Sequence, residues 1–578
     1  MIKSSILTFF RISLSVFLLF CFNKSFSQQI FSKNKYPITD FRQPLDITPP
    51  ALAGSFGEIR ANHFHSGVDF RTNQREGYPV YAVADGYISR LRVQNSGFGQ
   101  ALYINHPNGF TTVYGHLQRF APKIARIVKD LEYEKKSFEI DEFPDATLIP
   151  VHKGDIIAWS GNRGSSGGPH LHFEIRDTKT EETINPQFFG INIPDNIPPV
   201  IHGMYVYRLN GKTFNEFTPK DAIPISGTNG QYKTNTPVSL TGEVGFGIVT
   251  TDRHNGMSGT NGVYSIQLEL DGKVVFTSAL ERFAFENSKA INSHIDYPTY
   301  LNTKRSIQKS FVDPGNPLQI YSNLISNGRI TFNDGAKHEL RYIITDSKGN
   351  SSVLPFTVNA GSAAVVAPIA APAGTIFSYN QVNEYNTPDI KVIFPKGTLY
   401  NDLVFNYKKL PKPSGNAWSE IHQLQNRYTP LHVGFNLWIK ADNLPENLRS
   451  KAVIVSTGGS AQGGIYEDGY VKATPRNFGS FYIATDTVSP RIVPLNVTEG
   501  KNMKGISKMT FRISDNLSGI KSFNGYLDGE WVLMEFDTKT ATLWHSFDER
   551  TTPGKHTLEL VVADAKDNTK RFKINFYR

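Results

Sequence analysis

The sequence predicts a mostly β protein: an N-terminal antiparallel β domain, then several β-sandwich domains of immunoglobulin-like type. Three observations carry that expectation. Short apolar–polar alternations, separated by Gly, Asn and Asp turns, recur through most of the 578 residues, the period-2 signature of half-buried strands. The 25 Tyr, 40 Phe, 47 Gly and 33 Pro supply strand formers and turn residues in quantity. Beyond residue 194 the chain repeats itself. With 39% hydrophobic residues there is apolar material for a core throughout, and the length suits several domains.

Residues 1–27 read as a secretory signal peptide. Lys3 and Arg11 precede an apolar run from Ile12 to Phe22 that is too short to span a bilayer. Ser25 and Ser27 are the small residues a signal peptidase reads, which places cleavage after Ser27. Cys21, the only cysteine, would leave with the signal. The mature chain then has no membrane span, no disulfide, no cysteine nucleophile and no thiolate ligand. The expected location is exported: periplasm, cell envelope or beyond. The net charge of +9 is spread along the chain, with no basic stripe. That excludes nucleic-acid binding and allows weak attraction to anionic cell-envelope polymers.

Residues 28–194 form the first expected domain. Tyr81–Ala84, Gly86–Val93, Ala101–Ile104 and Phe110–Tyr114 alternate as strands, and Asp85-Gly86, Asn95-Ser96-Gly97 and Pro107-Asn108-Gly109 punctuate them as turns. One insertion, 118–150, breaks the β rhythm. Ile124, Ile127, Val128 and Leu131 fall at helical spacing, and Phe138, Ile140 and Phe143 then alternate like a strand. Two readings are open: a surface excursion packed on its own domain, or a flap beside a cleft.

Two further expected domains, 195–360 and 486–578, echo each other. Asp195–Ile201 echoes Asp486–Ile492, and Asp252 with Ser258-Gly259 echoes Asp515 with Ser518-Gly519. Leu270-Asp271-Gly272 echoes Leu527-Asp528-Gly529, and His338–Asn350 echoes His556–Asn568. Both copies end in a β-branched strand and a polar turn, as immunoglobulin-like sandwiches do. The first copy is longer, with extra residues mainly between 276 and 330. Between the copies lie an uncharged Ala/Pro-rich linker, 361–374, and another β domain, 375–485. Asp252, Asp346, Asp515 and Asp564 sit among Ser, Asn and Gly. Turn formation is the expected role of these aspartates, with calcium binding as the alternative.

The chemistry-bearing residues gather in the first domain. His65 and Asp69 are four apart with Gly67 between them, a glycine expected to let the backbone turn so that both side chains face one point. His170 and His172 alternate in a strand-like run and so share one face. His116 ends another strand.

Phe64-His65-Ser66-Gly67-Val68-Asp69, Val113-Tyr114-Gly115-His116-Leu117, and Gly161-Asn162-Arg163-Gly164 with Gly168-Pro169-His170-Leu171-His172-Phe173-Glu174 resemble the lysostaphin-type (LytM-like) zinc metallopeptidases. So do Val83–Gly86 and Lys153–Ile157. The resemblance covers residues 55–187. It implies an antiparallel β metallopeptidase domain with a groove over a Zn2+ ion held by His65, Asp69 and His172. It implies His116 and His170 as catalytic histidines beside the metal. The implied substrates are peptidoglycan peptides, cut by a zinc-activated water. In this setting zinc lowers the pKa of bound water toward ~7 and polarises the carbonyl. The alternative is a non-catalytic, wall-binding regulator of another hydrolase, a role whose bearers typically lack metal ligands. Arg163 departs from the family's small polar residue; a solvated side chain or contact with a substrate carboxylate are its two readings.

Overall fold

The computed structural model describes residues 35–257, 259–362 and 374–578. The expected signal peptide, Ser258 and most of the expected linker fall outside that range. Among the described residues, no helix is long and apolar enough to cross a membrane.

The first region is built on a 10-stranded sheet. Its main strands are β1 (Leu52–Gly54), β2 (Val68–Arg71), β3 (Gly86–Val93), β4 (Gln100–Asn105), β5 (Phe110–Gly115), β6 (Ile140–Glu142) and β7 (His170–Asp177), with α1 (Pro122–Lys135) between β5 and β6. In space the order is β1-β2-β7-β5-β4-β3-β6, all antiparallel. β7 lies at the centre. Its odd residues, Leu171, Phe173 and Ile175, are fully buried in the core with Phe64, Val68 and Tyr114. Its even residues, His170, His172, Glu174 and Arg176, emerge on the other face, because strand side chains alternate.

The stretch with helical spacing forms α1. Pro122 opens it, where a missing N–H costs nothing, and Lys136 closes it in the left-handed conformation with its N–H on the Glu132 and Tyr133 carbonyls. Ile124 and Val128 turn inward, and burying each stabilises by about 1.5–3 kcal/mol. An acid at Val128 would break that contact. The opposite face is neither free nor poised over a groove. Tyr133 meets the Trp531 ring edge-on at 5.2 Å, the Arg550 guanidinium lies 3.9 Å above the Tyr133 ring, and Lys129 pairs with Asp548 at 2.6 Å. The insertion is thus a seat for the C-terminal region.

Residues 200–360 form a 5-stranded and an 8-stranded sheet that enclose Phe246, Phe276, Tyr342 and Phe356. The extra residues of this copy include short helices between 285 and 303. They brace the first region from behind: Ser288 Oγ accepts the Phe64 N–H at 2.7 Å, and Phe283 packs on Phe56 and Phe64. Residues 375–485 fold as two larger sheets, of five and four strands, over a core that includes Phe394, Phe435 and Phe481. Residues 491–577 fold as a four- and a five-stranded sheet. Their buried Val532, Met534 and Leu543 belong to the same contiguous apolar cluster as Ile124 and Val128.

Candidate metal centre

Register brings the candidate ligands together. In the sheet, His172 stands opposite Asp69 on one side and Gly115 on the other. His65 precedes β2, and His116 follows β5. Three donor atoms converge: His65 Nε2, Asp69 Oδ1 and His172 Nδ1 lie 3.0, 2.8 and 3.1 Å from one another. Ligands about 2.0–2.1 Å from a tetrahedral zinc ion are separated by roughly 3.3 Å, so this triangle is the right size for one face of such a site. All three residues are buried.

The far side of each ligand is tied down. His65 Nδ1 donates to the Ser55 carbonyl at 2.7 Å, which frees Nε2 as a donor atom toward a metal. His172 Nε2 donates to Glu174 Oε1 at 2.9 Å, which frees Nδ1. Asp69 Oδ2 takes a 2.6 Å hydrogen bond from Arg60. Burial alone would raise the Asp69 carboxyl, but its contacts with His65, His170 and His172 outweigh it and hold its pKa well below the usual range. Glu174 behaves likewise: burial is outweighed by Arg176, His172 and Ser66, and its pKa falls to about 2. Both carboxylates are therefore anions at neutral pH, as ligand and ligand support require.

His116 and His170 flank the triangle. Their rings are 4.8 Å apart, and His170 Nε2 is 3.4 Å from Asp69 Oδ1. Each is oriented through Nδ1, His116 on the Arg163 carbonyl and His170 on the Gly168 carbonyl, both at 2.8 Å. The His116 ring stands 5.8 Å from that of His172. Burial, then the neighbouring His172 and His170, push the His116 pKa down to about 3. His116 also adopts φ 58°, a left-handed backbone that a β-carbon makes costly and that concentrates at functional sites.

Two local expectations need correction. Gly67 does not occupy the left-handed region. It is required because a β-carbon there would stand 2.3 Å from the Phe173 carbonyl oxygen, inside β7 itself. Arg163 is half-buried and engaged by the C-terminal region. It pairs with Glu535 at 2.9 Å, and its guanidinium lies 5.1 Å from the Trp544 ring.

Residues 63–131 match Peptidase family M23. The N-terminal region carries an M23 peptidase domain. M23 peptidases are zinc-dependent, and the His-Asp-His set fits that ion. The chain is 36% identical across 119 residues to an uncharacterized metalloprotease of Haemophilus influenzae, covering 21% of this chain and 19% of that protein. It is 30% identical across 131 residues to the DD-carboxypeptidase/endopeptidase Mpg of Neisseria meningitidis, covering 23% and 24%. It is 31% identical across 141 residues to the peptidoglycan DD-endopeptidase ShyC of Vibrio cholerae, covering 23% and 26%. The chain thus spans between 19% and 26% of the length of these relatives. Residues 374–486 match a Zu5-like domain.

Sequence reasoning gave no role to Glu174, Arg176, Ser66 or Arg60, which support the M23 site. The signal was present for two of them. His170, His172, Glu174 and Arg176 are four polar residues at period 2 within an apolar strand, and a buried face of that kind needs paired charges.

Proposed function

We propose that the chain is an exported zinc metalloendopeptidase that hydrolyses peptide bonds in peptidoglycan cross-links. The observation that carries this reading is the convergence of three metal donors with two further imidazole rings beside them. His65, Asp69 and His172 hold zinc, which supplies Lewis acidity toward the scissile carbonyl and the attacking water. His116 and His170 do the proton work. One Nε2 accepts a proton from water as the water oxygen bonds to the carbonyl carbon. The second imidazole, in its protonated form, donates a hydrogen bond to the carbonyl oxygen while negative charge develops there; as the C–N bond breaks, the first imidazole passes the proton it took from water to the leaving amine. The relatives' names, DD-endopeptidase among them, support peptidoglycan as the substrate class.

The test is digestion of purified cross-linked muropeptides by the zinc-loaded chain, read by mass spectrometry. Hydrolysis of a cross-link adds one water and yields two smaller muropeptides. A zinc-loaded protein that binds muropeptides yet leaves every cross-link intact would favour the non-catalytic regulator.

A further inference from the structure

The two echoing regions each gather three aspartates at the point where the chain enters them. In the first, Asp195 and Asp252 converge with His254, and Asp346 lies close enough to both aspartates to act on them electrostatically. Their turn-forming role is visible: Asp346 Oδ1 accepts the N–H groups of Lys348, Gly349 and Asn350, and Asp195 Oδ1 accepts that of Ile197. Those turns leave other oxygens idle. The Asp195 side chain is 0% exposed, and its Oδ2 has no hydrogen-bond partner. Asp252 is 2% exposed, and its Oδ1 also has none. Donor atoms of Asp195, Asp252 and His254 all lie within 4.8 Å of one another. No lysine or arginine among the described residues pairs with these carboxylates; the Lys348 ammonium turns to Asn192 instead.

The second region repeats the arrangement with Asp486, Asp515 and Asp564, whose donor oxygens again lie within 4.8 Å of one another. Asp564 binds the Lys566 and Asn568 N–H groups as Asp346 binds those of its own turn. Asp515 Oδ1 and Ser518 Oγ are buried without a partner. Leu517 stands two residues after Asp515, where His254 follows Asp252. The set common to both copies is therefore oxygen only.

A buried carboxylate oxygen without a donor is costly, and three aspartates facing one another add repulsion. The same costly arrangement in two copies points to a missing positive charge. Calcium takes six to eight oxygens at about 2.3–2.6 Å, so oxygens on opposite sides of it are about 5 Å apart. We propose that each repeat binds one calcium ion: Asp195, Asp252 and Asp346 in the first, and Asp486, Asp515 and Asp564, with Ser518 Oγ, in the second. Both sites fix junctions. Asp195 follows directly on the M23 region, and Asp486 donates its N–H to the Lys451 carbonyl of the preceding domain at 2.9 Å.

The test is equilibrium dialysis of the full zinc-loaded chain against calcium chloride, with thermal melting in parallel. The expected result is two calcium ions per chain and a higher melting temperature with calcium than with a calcium chelator. Asp252→Asn and Asp515→Asn, each close in shape to the parent, should each remove one ion, and the double variant both. No calcium bound by the parent chain at about 1 mM, the weak end of protein calcium sites, would overturn the proposal without recourse to any variant. So would stoichiometry that neither substitution changes, or a first site that takes added zinc and refuses calcium.

Discussion

Gly67→Ala tests the geometry of the zinc site with a single methyl group. The new β-carbon would meet Phe173 O at 2.3 Å, Glu174 Cγ at 2.9 Å and Phe173 C at 3.0 Å. Carbon and oxygen need roughly 3.2 Å, so β2 and β7 must part by about 1 Å at this point. The strain falls beside the metal ligands, since Val68 pairs with Phe173 and Asp69 with His172. Overpacking of this kind costs about 1–3 kcal/mol. Displacing the support of ligands typically weakens metal affinity by about 10- to 100-fold. No left-handed backbone adds to the cost, so the effect is steric. The assay is zinc competition with a calibrated chelator, together with melting of the zinc-loaded and zinc-free chains. Gly67→Ala should bind zinc at least tenfold more weakly and melt earlier in both states. The reasoning is falsified if the variant holds zinc within twofold of the parent and melts at the same temperature.

Asp69→Ala and His172→Ala should lose most of their zinc, whereas His116→Ala and His170→Ala should keep it and lose cross-link hydrolysis about a hundredfold or more; elemental analysis beside muropeptide digestion separates the two classes. Lys539→Ala removes an ammonium that reaches the carbonyls of Asn162 and Ser166 in the loop before His170. Its side chain is exposed, so stability should change by no more than about 1 kcal/mol, while kcat/KM falls severalfold with zinc content unchanged; equal kinetics would show the loop to be fixed without it. Burial, and then Glu535, raise Glu132 from 4.5 to about 8. The folded chain therefore holds that proton where the unfolded chain has lost it, and stability should fall by an order of a few kcal/mol as pH rises from about 4.5 to about 8. Glu132→Gln should flatten that slope in a pH series of melting curves, and parallel curves for parent and variant would refute the assignment.

Much of the site was legible because its residues are bound to strand periodicity. His170 and His172 share a face for the same reason that Leu171 and Phe173 share the other. α1 was legible from Ile124, Val128 and Leu131, since apolar spacing marks the buried stripe whatever it packs on. What covers the outer face was not legible. Tyr133 and Lys129 look like ordinary surface residues, and their partners, Trp531, Arg550 and Asp548, lie about 400 positions away. Nothing local encodes such a pairing. Arg163 was misread for the same reason: a solvated arginine and one clamped by a distant glutamate are identical in sequence. Gly67 was judged by the commonest reason for a glycine, backbone freedom, when the decisive fact was the proximity of a strand more than 100 residues later. The aspartates of the two repeats were understood as turn residues from their neighbours; only folding shows carboxylates distant in sequence brought together in each repeat.

The contact between the C-terminal region and the loop before His170 also sets an order of events in time. Lys539, Glu535 and Thr538 bind Ser166, Arg163 and Asn95, all at the rim beside His116 and His170. During synthesis or export the first M23 residues emerge long before these partners exist. A newly made chain would have its zinc ligands first and its finished rim last. The rim of the site is therefore completed only when the C-terminal strands have arrived.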